Sequence, residues 1–408
     1  MPKLIVQKYG GTSLATNERI FNVASRIIKT KQSCDKIAAV VSAMGSTTDR
    51  LLETAYSINP SAHKREVDML LATGEQQSAA LLAMALQALG QNAVALCGVG
   101  TGIVTTDTHM SAKILRIEPE KITKLLDKNI VIIAGFQGIT DEGDITTLGR
   151  GASDTTAVAL AVALGADFCE NCTDVDGIYT ADPRLISDAI KLRHISFDQM
   201  LALAASGAKL HRRAVEMAER YNVKIHVRSS HKETEGTWIG GDDVEEMVVT
   251  GIAIDRNVAR VSILGLEDKP GVAFGIFSML AQAKISVDTL AHTVSSDTAC
   301  DMCFTINKTD LNAVCDIMGA MPIHIDEHLA RLSIVGAGLS SNPGILVDIF
   351  EAIYENNINI MMISTSEKKV SLLVDERHVV AAANAVHKKL YDAFTEVIKC
   401  QSNVLRLL

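Results

Sequence analysis

The chain has 408 residues, 48% of them apolar and 21% charged, with a formal net charge of −9. This length suits two to three domains. The acidic balance, without a long basic run, excludes a nucleic-acid surface, which needs clustered Lys and Arg. No stretch approaches the roughly 20 apolar residues of a membrane span. The opening LIV, closed by Gln7 and Lys8, is too short for a secretory signal. A cytoplasmic protein without membrane or nucleic-acid partners is expected.

In chain order, LIVQKYGG, KIAAVVSAMG, NAVALCG, NIVIIAGFQG and ADFCENCTDV are predicted strands. Several are apolar almost throughout, as in a parallel sheet covered on both faces. Between the first two, Ile20, Val23, Ala24, Ile27 and Ile28 recur at helical spacing. Residues 75–89 and 154–164 are predicted helices, stopped by Gly90 and Gly165. Strand–helix alternation to about residue 245 implies a doubly wound, mainly parallel α/β domain. TWIGGDDVEEM then reads as an acidic loop. Beyond it, RVSILGLEDKPGVAFGIFSMLAQAKISVDTL repeats as RLSIVGAGLSSNPGILVDIFEAIYENNINIMMI, with Pro270 and Gly271 matching Pro343 and Gly344. Each copy reads strand, Pro-Gly turn, helix, strand, as in paired regulatory units.

Two CxxC pairs, Cys169/Cys172 and Cys300/Cys303, lie in strand-like stretches. Residues three apart on a strand point to opposite faces, so neither pair is expected to chelate, and no metal site is assigned.

The polar motifs fall at strand ends, where α/β sheets place ligands. Lys8-Tyr9-Gly10-Gly11-Thr12-Ser13 closes the first strand and opens a predicted helix. Paired glycines there let N–H groups approach an anion. The segment 42–49, SAMGSTTD, ends the second strand and suits a carboxylate or a helix cap. Thr73-Gly74-Glu75 is predicted to open a helix. Its Glu suits either the helix dipole or an amino group. Leu148-Gly149-Arg150-Gly151-Ala152-Ser153-Asp154 offers an Arg fork for a carboxylate and an acid that could orient Lys8. The segment 173–184, TDVDGIYTADPR, suits a nucleotide cleft or a turn-rich surface loop. GxxxxGK[ST] is absent, and the glycines at 98, 100 and 102 precede no clear helix, so neither a P-loop nor a Rossmann site is expected.

In this order, KYGGTS, VSAMG-x-TTD, TGE, LGRGxSD, TDVDGIYTADPR and GAK resemble the aspartate kinases of the amino-acid kinase family. The resemblance covers essentially the whole chain. It implies a carbamate-kinase-like catalytic domain over 1–245 and two small α+β ACT-type units over 252–327 and 328–408. It implies phosphorylation of the L-aspartate side-chain carboxylate from MgATP, entering lysine, threonine and methionine synthesis. Lys8 and Asp154 would be catalytic, with Lys8 on the transferring phosphoryl group. Ser42, Thr47, Glu75, Arg150 and Ser153 would hold aspartate, Arg150 on its α-carboxylate and Glu75 by its amino group. Gly10, Gly11, Thr173, Asp174, Tyr179, Asp182, Arg184 and Lys209 would join Lys8 around ATP. Magnesium would arrive with the nucleotide phosphates.

In the C-terminal units, lysine or threonine would be sensed. Asp268 and Asp288 would receive an effector ammonium and N–H groups after Gly271 its carboxylate. Ser364, Thr365, Ser366 and Glu367 would face that pocket across a subunit pair, in a homodimer or larger assembly. Four departures stand out. Ala152 replaces the second Gly of LGRGGSD, and GAKLHRRAVE shortens the usual segment, with Arg212 in its proline region. His292 stands where feedback-inhibited relatives often carry Gln, and Met361 where Glu commonly precedes MISTSE. Other amino-acid kinases, acting on glutamate, acetylglutamate or UMP, and a non-catalytic amino-acid sensor with the same fold are the competing readings. Met247 is suitably placed for an internal start.

Overall fold

The computed structural model describes residues 3–149, 151–204, 210–241, 249–296, 299–319, 321–339 and 342–404. Arg150, Lys209 and the acidic stretch 242–248 with Met247 lie outside the described residues. The chain divides into two compact units, one over residues 3–178, 191–204 and 210–241, the other over 179–190 and 249–404.

The first unit is built on an eight-stranded sheet. Its order is His194–Ile195, Thr237–Ile239, Ile225–Ser229, Phe168–Thr173, Leu4–Tyr9, Lys36–Val41, Ile130–Ala134, Ala93–Leu96. All neighbours are parallel except Ile225–Ser229 against Thr237–Ile239. The central strands are buried along nearly their whole length, which is why they are apolar without alternation. Helices Asn17–Lys31 and Lys64–Ala88 contribute Ile20, Val23, Ala24, Ile27, Leu82 and Leu86 to the core of one face.

Four local readings of the sequence are corrected. Thr237–Ile239, read as the start of the loop TWIGGDDVEEM, is a strand held on both sides by the sheet. The helix around Thr73-Gly74-Glu75 begins at Lys64, so Glu75 lies in its middle and not in its first turn. Gly74 is tolerated there because a Cβ would sit 2.8 Å from that of Ala43, so close packing replaces the propensity lost. After Gly10-Gly11 the chain makes a short 3₁₀ turn, Gly11–Leu14. The helix starts only at Asn17, behind the Thr16 cap. The run NIVIIAGFQG is two strands, not one. Phe136 has φ +68°, and Gln137–Ile139 leaves for a second sheet with Ile114–Ile117, Ile103–Thr105 and Ile145–Thr147.

The second unit holds two four-stranded antiparallel sheets. One orders Leu290–Ser296, Ala299–Ile306, Ala259–Glu267 and Ile323–Asp326. The other orders Gly251–Asp255, Leu329–Val335, Lys369–Asp375 and Ile360–Thr365. The strand Gly251–Asp255, which sequence order assigns to the first repeat, pairs with Leu329–Val335 in the second sheet. The matched Pro-Gly pairs do different work. Gly271, at φ +100°, precedes the helix Val272–Gln282, whereas Pro343 and Gly344 form the first turn of Pro343–Glu355. Among the described residues no helix is long and apolar enough to cross a membrane.

Candidate active site

Parallel pairing brings several strand ends to one edge. Tyr9 is level with Val41 and Cys172, and Val41 with Ala134. The residues that follow each strand therefore meet there: Gly10-Gly11, Ser42–Thr47, Gly135 and Thr173–Asp174.

Lys8 stands at this edge, with its Nζ 2.7 Å from Asp154 Oδ1; the two side chains are 13% and 8% exposed. Asp154 lies in the first turn of the helix Ala152–Leu164, near the positive end of its dipole. Two groups the sequence did not single out complete its surroundings. Asn171, opposite Lys8 on the neighbouring strand, donates its amide to Oδ1 at 3.4 Å, and the backbone N–H of His211 reaches Oδ2 at 3.3 Å. The available signal for Asn171 was a polar residue inside an apolar strand. His211 sits in the shortened GAKLHRR segment, and its ring fills the space a Cβ on Gly151 would need, 2.6 Å away. Burial lowers the His211 pKa, opposed by the Asp154 charge.

The Gly10-Gly11 turn is locked to the loop after the second strand. Gly45 N–H donates to Gly11 O at 2.9 Å. A Cβ on Gly11 would lie 2.5 Å from Ala43 O, so only glycine fits. Glu75 braces the same loop from the long helix. Its Oε1 accepts from Ala43 N–H at 2.9 Å, while Oε2 is buried without a partner. Burial pushes the Glu75 carboxyl up to about 7. Ser42 is half-buried, and Thr47 opens the helix Thr47–Ile58, its hydroxyl accepting from Arg50 at 3.0 Å. Ser153 is buried, its Oγ against Gly135. Ala152 takes up helical backbone in a buried apolar cluster with Phe136 and Leu148, so its methyl fills space instead of crowding the loop.

The residues just before Arg150, Thr147 and Leu148, are each held from another element. Fully buried Asp68 accepts from Thr147 N–H at 3.0 Å, from the Thr147 hydroxyl at 2.5 Å and from Met110 N–H at 3.0 Å, and pairs with His109 at 2.9 Å. Arg213 donates to Leu148 O at 2.8 Å. Nothing in the sequence marked Asp68, because its partners are distant in the chain.

The residues read as a nucleotide loop divide between the units. Thr173 ends the strand in the first unit and Asp174 follows it, with Thr173 O accepting from Ser230 N–H at 2.7 Å. Tyr179, Asp182 and Arg184 belong to 179–190 in the second unit. There Asp182 and Arg184 form a bidentate pair, Ala181 and Ile186 join the apolar core, and Thr180 bonds His387 at 2.9 Å. Cys169 and Cys172 are both buried, Cys172 packed in the core with Tyr9.

Of the regulatory candidates, Asp268 and His292 are exposed, and Gly271 caps its helix. The Asp288 carboxylate is taken up by Arg331, whose side chain is 8% exposed. Ser364 and Thr365 end the edge strand Ile360–Thr365. Ser366 turns back to Lys369 through its N–H at 2.8 Å, beside exposed Glu367.

Comparison with known proteins gives the same picture. A model of the amino acid kinase family matches residues 3–229, and an ACT domain model matches 332–390. The chain is 46% identical over 402 residues to an aspartokinase of Corynebacterium glutamicum, covering 95% of this chain and 96% of that one. It is similar in fold to E. coli aspartokinase III in complex with aspartate and ADP, at TM-score 0.81, 24% identity and 95% and 100% coverage. The same enzyme in complex with lysine and aspartate matches at TM-score 0.74, again at 24% identity, over 95% and 99% of the two chains. With a parallel-sheet edge carrying Lys8 against Asp154 and an ACT-type C-terminal region, the chain belongs to the aspartokinases, phosphotransferases of the amino acid kinase family.

Proposed function

We propose that the chain transfers the γ-phosphoryl group of MgATP to the β-carboxylate of L-aspartate, giving 4-phospho-L-aspartate and ADP. The observation that carries this reading is the Lys8–Asp154 ion pair at the C-terminal edge of the sheet. A β-carboxylate oxygen forms the new P–O bond while the bond to the bridging oxygen breaks and ADP leaves with that electron pair. The attacking carboxylate is already ionised near neutral pH, so no general base is required. Catalysis is positioning plus charge stabilisation. Lys8, held by Asp154, faces the charge on the transferring group from a largely water-excluded position. The N–H groups of Gly10 and Gly11 take phosphate oxygens. Glu75 Oε2 receives the aspartate ammonium, and Arg150 takes its α-carboxylate, with Ser42, Thr47 and Ser153 supplying hydroxyls. Thr173, Asp174 and Lys209 line the nucleotide site; Tyr179, Asp182 and Arg184, which the family resemblance also implies for ATP, belong to the second unit. Magnesium, which prefers phosphate oxygens and water, neutralises phosphate charge when bound with the nucleotide.

Lysine, threonine or both are the proposed effectors, bound within 258–400, and the pathway is lysine, threonine and methionine synthesis. E. coli aspartokinase III, bound to lysine in one of its structures, supports the choice of an amino-acid effector. A homodimer through the ACT-type sheets is expected. Both sheets end in an edge strand with exposed apolar side chains, Leu290 and Val294 on one, Met361 and Ile363 on the other. The residues 179–190, anchored in the second unit, follow the nucleotide-site residues directly in the chain and supply a covalent route for coupling. Any inhibition is capped by the effector's differential affinity for two global states. The test is ADP release dependent on both aspartate and MgATP, with glutamate as control. Release independent of aspartate, or equal with glutamate, overturns the assignment.

A further inference from the structure

We propose that Asp268, His292 and Cys300 form a binding site for one divalent transition-metal ion of the zinc class on the first regulatory sheet. The three come from different elements. Asp268 follows the strand Ala259–Glu267, His292 lies on the edge strand Leu290–Ser296, and Cys300 lies on Ala299–Ile306 between them. Val294 pairs with Cys300 and His292 with Met302, which sets His292 and Cys300 as diagonal neighbours on one sheet face. Leu266 pairs with Cys300 from the other side, so the chain leaving that strand brings Asp268 to the same place. One donor atom from each residue lies within 4.8 Å of both others.

The donor set selects the ion. Thiolate, imidazole and carboxylate together suit zinc or cobalt(II), and sulfur and nitrogen donors disfavour magnesium and calcium. Tetrahedral bonds of about 2.0–2.3 Å put ligand atoms roughly 3.3–3.8 Å apart. The closure of about 1 Å this asks for falls on Asp268 and His292, which are exposed and can rotate, while buried Cys300 is fixed by the core. Burial and the carboxylates of Asp268 and Asp301 raise the Cys300 thiol pKa. A divalent cation among these groups reverses the field that disfavours the thiolate. Three protein ligands leave a fourth position for water or a small ligand. The CxxC pair plays no part as a pair. Cys303 is set on the opposite face, and the residues two positions from the cross-strand partners of Cys300, His292 beyond Val294 and Asp268 beyond Leu266, make the site. The site shares Asp268 and His292 with the proposed effector pocket, so metal and amino acid would compete. Metal binding is read directly, so its outcome is separable from that of the effector reading.

The experiment titrates cobalt(II) into the reduced, chelator-treated full chain. One equivalent per chain is expected to give a thiolate-to-cobalt charge-transfer band in the near ultraviolet. Zinc should displace it and excess magnesium should not. Cys300→Ser should abolish the band. The surface variants His292→Gln and Asp268→Asn should weaken binding at least about tenfold, the scale on which even outer partners of a metal site act. Cys97→Ser, Cys303→Ser and Cys315→Ser should leave the band in place. A band that survives Cys300→Ser, that is lost in one of these three controls, or that never appears at saturation overturns the proposal. So does unchanged affinity in both surface variants.

Discussion

The Glu75 carboxylate accepts the N–H of Ala43 through one oxygen at 2.9 Å and buries the other without a partner. Its pKa near 7 arises from burial, with the Ala43 bond working against the shift. Below that pH the free enzyme holds Glu75 protonated, and an aspartate ammonium must displace the proton. Aspartate KM is therefore expected to rise as pH falls from 8 to 6. In Glu75→Gln it should be at least tenfold higher at pH 8, about the value of a charged hydrogen bond, and nearly flat with pH. A flat wild-type profile would remove Glu75 from the ammonium site.

The same group has a stability signature of opposite sense. Its folded pKa lies above the ordinary carboxylate value, so its contribution is fully present below about pH 4.5 and is lost as pH rises through 7. Without ligands, Glu75→Gln should gain up to roughly 3 kcal/mol on wild type at pH 8.5 and little at pH 4.5. Urea titration at the two pH values checks this.

Lys8→Ala should lower kcat by at least about 100-fold, the scale for losing one preorganised charge stabiliser. Asp154→Asn keeps the shape of the carboxylate but not its charge, so the Lys8 ammonium loses its anchor and kcat should fall by about tenfold or more. Near-normal kcat in Lys8→Ala would take that residue out of the mechanism.

Asp68→Ala should destabilise the catalytic unit by about 2–4 kcal/mol, because it strands the buried donors of Thr147 and Met110. The Arg150 loop follows Thr147, so aspartate KM should rise more than ATP KM in the folded variant. Equal effects on both substrates would argue against an aspartate-side role for that loop.

Where lysine, threonine or both inhibit as proposed, Asp288→Ala should lose or weaken that inhibition while leaving effector-free kcat near wild type. It also leaves the buried Arg331 guanidinium without this partner. Since Asp288 is half exposed, a loss of about 1–2 kcal/mol is expected from the regulatory unit. Activity measured against each amino acid, alone and together, decides. Unchanged inhibition in the variant would exclude Asp288 from the effector pocket.

The sequence by itself determined the parallel core, the strand ends that meet at one edge of it, and the polar residue types placed there. Buried strands are apolar along most of their length, and Gly11 leaves no room for a Cβ beside the Ala43 carbonyl, so composition records both constraints locally. It also carried the likeness of the two C-terminal segments, in which apolar positions and a Pro-Gly pair recur in the same order, with a loop two residues longer in the second. Tertiary structure alone decided that Glu75 sits in the middle of a helix. Gly74 reads as a start or a break until the close approach of Ala43 explains it. Only the fold could bring Asn171 and His211 onto Asp154, or Asp68 onto Thr147, since hydrogen bonds across 17 to 79 positions leave no spacing to read. The strand Gly251–Asp255 crossing to the second sheet, and the segment 179–190 folding with the second unit, belong to the same class. Pairing partners are chosen by which apolar surfaces bury each other, and that choice is made in space and not along the chain.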